Sequence, residues 1–541
     1  METLRLIELY LKRMRVLNEL SIDFTEQAEN HYTLDFLVGV NGTGKSTLLR
    51  TIAEIFLRLE DRLDFPFGFR ITYELRKGLV ISISNLAEGI GDQLPYLLLR
   101  ENTQNTWQKR IIPLEYLPKL IIAFTTGSER EWALLEDVQE EIVNDTGNVV
   151  NSVTEKESNE IQTLGPEDLQ QLTDLYLTEL PGVPTFNEES REDNQIRANE
   201  EDQALTSKGF LFVKTLQLPL VILCGLLTDI SDKNRLRANR GARLQQAMRE
   251  ASIEELRGFS LKFRMITGVI SDDQRNFITQ LAQGADQKLR FGTDYLLIYD
   301  LSEDPITSIA KIFAPVGTGL NLFRKLAALS ESNDDEPILR EVNLFLERTS
   351  SVTNDIVPPL HLLEWFSDGE RSFLGRLCLF SLLGDQEALI LLDEPEVHFN
   401  DFWKREIVHM LDDVLHGRPS HVLITSHSSI TLTDVPRKNI HVLYRDADYT
   451  QEALFPQMET LAADPSDILI NIFGAPQATG AQGILRVKKE ISRALALRKL
   501  EDRVKALEVL LMDVAPGYWR FLVRRQLDEV RRLQQLERQQ S

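Results

Sequence analysis

The segment Gly39-Val40-Asn41-Gly42-Thr43-Gly44-Lys45-Ser46 constrains this chain more than any other. The residues before it, Thr33 to Val38, read as a strand, and the apolar positions Leu48, Leu49, Ile52, Ile55 and Phe56 space out as a helix over Lys45 to Leu59. Glycines at 39, 42 and 44 let the backbone curl, so that its amides and the helix N-terminus point at one anion. In such a loop Lys45 reaches the outer phosphates of a nucleotide and the Ser46 hydroxyl ligates Mg²⁺, while Asn41, Thr43 and Thr47 line the same turn. Strand, loop and helix in this order imply an α/β fold.

At 541 residues, and at roughly 100 to 200 residues per domain, the chain should divide into two to four domains. Its 43% hydrophobic and 26% charged residues are those of a globular protein. Cys224 and Cys378 fall in no disulfide framework or metal-ligand cluster, which fits a reducing, cytoplasmic setting. Charges at Glu2, Arg5, Glu8, Lys12, Arg13 and Arg15 interrupt the first twenty residues, so no signal peptide is expected. The most apolar stretch, Phe210 to Ile230, is broken by Lys214, Gln217 and Pro219. It reads as a buried helix and not as a membrane span.

The net charge of −23 is unevenly placed. Glu131 to Asp202 holds 20 acidic and 3 basic residues, whereas Ala481 to Ser541 holds 14 basic and 8 acidic, so a basic, amphipathic tail ends an acidic chain. Five segments follow from this pass. They are an N-terminal lobe over 1–135, an acidic and partly mobile insertion over 136–204, a helical or mixed insertion over 205–354, a C-terminal lobe over 355–450, and a helical basic tail over 451–541. Within the second insertion, Tyr295 to Tyr299 reads as a strand and Ile338 to Leu346 as a helix. Lys233, Arg235, Arg237, Arg240, Arg243 and Arg249 form either a solvated helix surface or a basic face for nucleic acid or an acidic partner.

The second lobe carries the complementary chemistry. Ala388 to Leu392 is an apolar strand that delivers Asp393 and Glu394, the first to hold Mg²⁺ and the second to polarise an attacking water. Upstream, Ser367-Asp368-Gly369-Glu370 opens a helix whose Ser367, Gly369 and Glu370 could meet a γ-phosphate; a plain helix cap is the alternative. Downstream, the strand His421 to Ser426 runs into His427, which could hydrogen-bond the γ-phosphate and the water.

Together these motifs resemble the ABC-type ATPase heads of the SMC, Rad50 and RecF group and the related ATPases of bacterial defence systems. Leu11-Lys12-Arg13-Met14-Arg15 with Ile22-Asp23-Phe24 is similar to that group's opening strands. Asp393-Glu394-Pro395-Glu396-Val397-His398 and Ser426-His427-Ser428-Ser429 are similar to its anti-phage branch. Phe124-Thr125-Thr126-Gly127 and Pro516-Gly517-Tyr518-Trp519-Arg520-Phe521 resemble the PtuA type of Septu and retron systems. The resemblance implies an ABC-type head split by a long insertion, with ATP and Mg²⁺ as cofactors. Catalysis would fall to Glu394, His427 and Lys45, at a site completed by Ser367 to Glu370 of a second copy.

It further implies ATP-linked self-association and a role in controlling an HNH nuclease of PtuB type, with a retron reverse transcriptase and its RNA–DNA product as further partners. A RecF- or Rad50-like repair ATPase that binds DNA directly is the alternative. A transporter subunit ranks last, because 322 positions separate Lys45 from Ser367. Gln93, Gln104 and Gln108 are all candidates for the group's glutamine loop. Asp446-Ala447-Asp448 lacks the surroundings of a nuclease site, so no nuclease activity is expected in this chain.

Overall fold

The computed structural model describes every residue except 1–3, 25–32, 77, 88–92, 102–105, 138–177, 180–208, 234–247, 249–252, 266–269, 332–336, 349–359, 384–385, 416–419, 447–448, 476–479 and 541. Most of the acidic insertion, the arginines at 235, 237, 240, 243 and 249, and Gln104 lie outside the described residues. The chain divides into two compact units, Met1–Ala462 and Ala463–Ser541.

The first unit opens with β1 (Arg5–Lys12), β2 (Leu17–Asp23), β3 (Thr33–Val38) and helix α1 (Lys45–Glu60). Then come β4 (Gly68–Arg76), β5 (Leu79–Leu86), β6 (Gln93–Glu101), β7 (Gln108–Lys109), β8 (Ile121–Thr125) and α2 (Glu129–Asp137). Leu48, Leu49, Ile52 and Ile55 of α1 are fully buried, as their helical spacing requires.

The middle of the chain holds β9 (Thr178–Glu179), β10 (Phe210–Val213), α3 (Leu218–Lys233), β11 (Ile253–Arg264), α4 (Asp272–Gln283), β12 (Gln287–Phe291) and β13 (Asp294–Asp300). It continues with α5 (Pro305–Phe313), α6 (Gly319–Ser330), β14 (Leu339–Arg348) and β15 (Leu360–Leu362). The unit is completed by α7 (Asp368–Leu383), β16 (Ala388–Asp393), α8 (Asp401–Leu415), β17 (Ser420–Thr425), β18 (Ile440–Asp446) and β19 (Tyr449–Leu454).

Thirteen strands form one mixed sheet in the order β10-β8-β16-β17-β3-β18-β19-β2-β1-β4-β5-β6-β7. The six from β10 to β18 pair in parallel, and β1, β2 and β4 to β7 form an antiparallel wing. The α/β class read from the glycine loop is the class observed.

A second, six-stranded sheet, β15-β14-β11-β13-β12-β9, occupies the insertion. The expected helix over Ile338 to Leu346 is strand β14. Leu344 and Leu346 are buried at a spacing of two, and β14 pairs along its length with β11 and at its end with β15. Tertiary pairing overrides a spacing that also fits a helix. The apolar stretch from Phe210 is likewise not one helix. Phe210–Val213 is β10, in parallel register with β8, and helix α3 begins only at Leu218, where Pro219 sits in the first turn. From there Val221, Ile222, Leu223, Cys224 and Leu227 are completely buried. Among the described residues no helix is long and apolar enough to cross a membrane.

The second unit contains α9 (Pro465–Asn471), α10 (Ala481–Ala496), α11 (Leu500–Asp513) and α12 (Tyr518–Gln540). Ile491, Ala494, Leu507, Val523, Leu527 and Val530 form its core. The helical tail expected from the sequence is present.

Candidate functional site

The parallel strands set the site. Register aligns Asp393 of β16 with Thr125 of β8 on one side and with Thr425 of β17 on the other, and Thr425 in turn with Leu37 of β3. One row across the C-terminal end of the sheet therefore presents a carboxylate between two threonines, next to the strand that feeds the glycine loop. Ligand sites of parallel sheets lie at this end.

The loop from Gly39 to Gly44 takes conformations that side chains resist. Gly39 and Gly44 have φ of 147° and 87°, and a Cβ on them would come within 2.7 Å of the Leu443 carbonyl oxygen and of the Val16 Cγ2, respectively. Thr43 is buried, and its Oγ1 donates to the Val40 carbonyl at 3.0 Å. Asn41 and Gly42 are exposed, and Thr47 is half-buried in the first turn of α1. Lys45 is 5% exposed, and its Nζ donates to the carbonyls of Gly39 at 3.0 Å and Val40 at 3.3 Å. Burial pushes its ammonium down to about 8, opposed by Glu394 and Asp393. A partly desolvated cation inside a turn of backbone amides fits an anion of several charges, as a nucleotide triphosphate supplies.

Ser46 lies across from Asp393, its hydroxyl donating to Oδ1 at 2.8 Å. Thr425 donates to the same oxygen at 2.6 Å and Thr125 to Oδ2 at 3.1 Å. Three hydroxyls thus fix a carboxylate that is 4% exposed. A hard cation such as Mg²⁺ takes one or two carboxylates plus hydroxyl and phosphate oxygens, and Ser46 with Asp393 offers that donor set.

Glu394 follows in the left-handed region, φ 52°. For a residue other than glycine this costs about 1 to 3 kcal/mol, and surrounding bonds hold it. Its amide donates to the Thr425 carbonyl and hydroxyl, and its carbonyl accepts from Thr126 Oγ1 at 2.8 Å. Its carboxylate Oε1 stands 3.0 Å from His427 Nε2. The hydrogen bond from His427 keeps the Glu394 carboxyl below its ordinary value, against partial burial. A base joined to an imidazole beside an anion loop is equipped to hold a water and take its proton.

Ser367, Gly369 and Glu370 are not joined to this cluster within the chain. Ser367 caps α7: its Oγ accepts from the Glu370 amide at 3.2 Å, and the Glu370 carboxylate accepts from the Ser367 amide at 2.8 Å, a reciprocal capping box. Glu370 also meets Arg348 at 2.5 Å. Gly369 has a steric reason to be glycine, since a Cβ there would lie 2.8 Å from the His398 carbonyl oxygen. Ser367 and Asp368 are exposed.

Of the glutamine candidates, Gln93 and Gln108 sit on β6 and β7, at the far end of the sheet from β8 and β16. The residues that flank Asp393 are Thr125 and Thr126, which the sequence marks only as part of a family resemblance, with no role at the site. Thr425, Glu396 and Arg445 are likewise given no site role by the sequence; Arg445 Nη1 donates to the Gly42 carbonyl at 2.9 Å.

Residues 279–434 match a family model described as "AAA domain, putative AbiEii toxin, Type IV TA system". This stretch takes in α7, β16 and β17. No curated protein sequence matches the chain. Among solved structures, the Smc head domain of Pyrococcus furiosus bound to the C-terminal domain of ScpA aligns at 11% identity and TM-score 0.30, covering 83% of this chain and 96% of that one. The SMC head domain of Thermotoga maritima aligns at 11% and 0.31, covering 84% and 100%. The recombination mediator RecF bound to ATP aligns at 15% and 0.27, covering 79% and 93%.

Proposed function

We propose that this chain binds ATP with Mg²⁺ and hydrolyses it at a site shared by two head-to-tail copies, turning over slowly enough to act as a switch. The observation that carries the reading is the convergence of the glycine loop, the Ser46–Asp393 contact and the Glu394–His427 pair at one end of one parallel sheet. Lys45 and the loop amides would bind the β- and γ-phosphates, and Ser46 and Asp393 would hold the metal. Glu394, kept ionised by His427, would orient the water and accept its proton. When bound, Mg²⁺ supplies charge neutralisation on the phosphate oxygens. Ser367, Gly369 and Glu370, exposed or half-exposed at the α7 N-terminus, would face the nucleotide of the other copy. Glu394→Gln tests this: ATP should bind and persist, and dimers should accumulate. Hydrolysis at the wild-type rate would sink the assignment.

The finer reading is a regulatory or scaffolding ATPase of an anti-phage complex, controlling an HNH nuclease of PtuB type, with a retron reverse transcriptase and its RNA–DNA product as further partners. Its support is the resemblance carried by Phe124 to Gly127 and Pro516 to Phe521. Co-purification with an HNH nuclease encoded beside it is the expected outcome, and a neighbourhood holding neither protein counts against it. Direct DNA binding is favoured by one observation: in the basic second unit, Tyr518 and Phe521 of α12 are 68% and 65% exposed beside Arg524 and Arg525. Salt-dependent DNA binding that disappears on deleting residues 481–541 would establish that alternative.

A further inference from the structure

Glu396 is 4% exposed, and a buried carboxylate is unfavourable unless its partners compensate. One of its oxygens is well used. Oε1 accepts from the Ser426 hydroxyl at 2.5 Å and from the His427 amide at 3.2 Å. Ser426 Oγ in turn accepts from the Ser428 amide at 3.0 Å, so the whole Ser426-His427-Ser428 segment hangs on one atom. The other oxygen, Oε2, is buried and has no hydrogen-bond partner among the described residues.

The Glu396 end of this link is itself fixed. The Val397 amide donates to the Glu394 carbonyl at 3.2 Å and the Phe399 amide to the Glu396 carbonyl at 3.0 Å, closing a tight turn directly after Asp393 and Glu394. A counter-charge acts on Glu396 from Arg376 of α7, also 4% exposed and lying 4.3 Å from the Phe124 ring and 5.5 Å from that of Phe399. Burial pushes Arg376 down to about 9, opposed by Glu396, and burial pushes the Glu396 carboxyl up, opposed by the bonds from Ser426, its own backbone and His427.

We propose that Glu396 is a positioning residue for the hydrolytic pair, holding the His427 backbone from the turn that carries Glu394 so that imidazole and carboxylate meet. The inference rests on the ATPase reading above. It follows from reach: two residues past Glu394, a side chain of glutamate length spans from β16 to the end of β17, and a shorter one does not.

The test separates reach from charge. Glu396→Gln keeps an acceptor oxygen at the same distance; Glu396→Asp keeps the charge and loses one methylene. Steady-state ATP hydrolysis on the full-length chain should show Glu396→Gln within about threefold of wild-type kcat, and Glu396→Asp lower by about tenfold to hundredfold with KM for ATP nearly unchanged. A purely structural role would move folding and KM as well, so thermal melts accompany the kinetics. The reverse order, wild-type kcat in both variants, or equal loss in both overturns the proposal. Lys45→Ala is the control for the underlying reading. If wild type and Lys45→Ala release phosphate at the same rate, the ATPase reading itself fails and this inference falls with it, an outcome distinct from any ordering of the Gln and Asp variants.

Discussion

Ser46 and Asp393 stand 347 positions apart in sequence and 2.8 Å apart in space, hydroxyl to carboxylate. The contact closes the two halves of the candidate site. Under the proposed role, the Ser46 hydroxyl, which donates to Asp393, would turn a lone pair toward Mg²⁺ while Thr125 and Thr425 keep Asp393 aimed. Asp393→Asn should therefore lower Mg²⁺-dependent phosphate release by at least about a hundredfold, because the amide supplies one weaker ligand and no charge. Phosphate release titrated with Mg²⁺ reads this directly, and an Asn variant with wild-type metal dependence would remove Asp393 from the site.

Lys45 gives the site a pH dependence. Burial holds its ammonium at about 8, so in the free protein its charge is present below that value and lost above it. ATP affinity should fall by about tenfold as pH rises from 7 to 9, most of it in the upper unit, whereas Lys45→Arg, charged throughout, should bind with a flat profile. Nucleotide titration by fluorescence at several pH values tests both. A wild-type profile as flat as that of the arginine variant contradicts the assignment.

A second buried carboxylate supports the strand that feeds the loop. Asp35 of β3 is fully buried; its Oδ2 is 2.9 Å from His421 Nε2 and its Oδ1 3.2 Å from His441 Nε2. His421 Nδ1 accepts from the Leu6 amide at 2.8 Å, which leaves Nε2 to carry the proton toward Asp35. Burial opposes ionisation, but the two imidazoles outweigh it and hold the carboxyl below its ordinary value of 3.8. A depressed carboxyl contributes stability above its unfolded value and loses it as pH falls through the folded one. Asp35→Ala, which removes the acceptor of two buried imidazole Nε2 groups, should destabilise the first unit by about 3 kcal/mol at pH 7, read from urea unfolding, and the deficit should shrink as pH falls below 3.8.

What could be read from the sequence was local or strongly patterned. The glycine loop announces itself because strand, turn and helix are contiguous, and Asp393 because five apolar residues precede it. The hydroxyls of Thr125 and Thr425 could not be seen as a pair, since only parallel register across three strands brings them to one carboxylate. Strand β14 was misread for a related reason. Ile338, Val342 and Leu346 satisfy a helical spacing as well as an alternating one, and the choice is made by β11, some eighty residues upstream, whose residues Ile253 to Phe263 pair with β14. The roles of Ser367 and Glu370 show a third limit. A capping box and a nucleotide-facing turn draw on the same residue types; the capping box is present here, and the same helix N-terminus is free to serve both roles.

A close crossing of two helices in the first unit yields a prediction about stability. Gly225 of α3 faces Cys378 of α7, and a Cβ on it would lie 2.5 Å from both the Cys378 Cβ and its carbonyl oxygen. Neither atom can yield, one being backbone and the other fixed to it, so the helices themselves would have to separate. Gly225→Ala should therefore destabilise the first unit by about 1 to 3 kcal/mol despite the better helix propensity of alanine. Gly483 of α10 makes the opposite case, because nothing lies within 4 Å of its Cβ position. There Gly483→Ala should stabilise the second unit by about 0.5 to 1 kcal/mol, since only the helix propensity and unfolded-state entropy change. Denaturant melts followed by circular dichroism should show the two substitutions moving stability in opposite directions; a stabilising Gly225→Ala would mean that α3 and α7 do not cross at this distance.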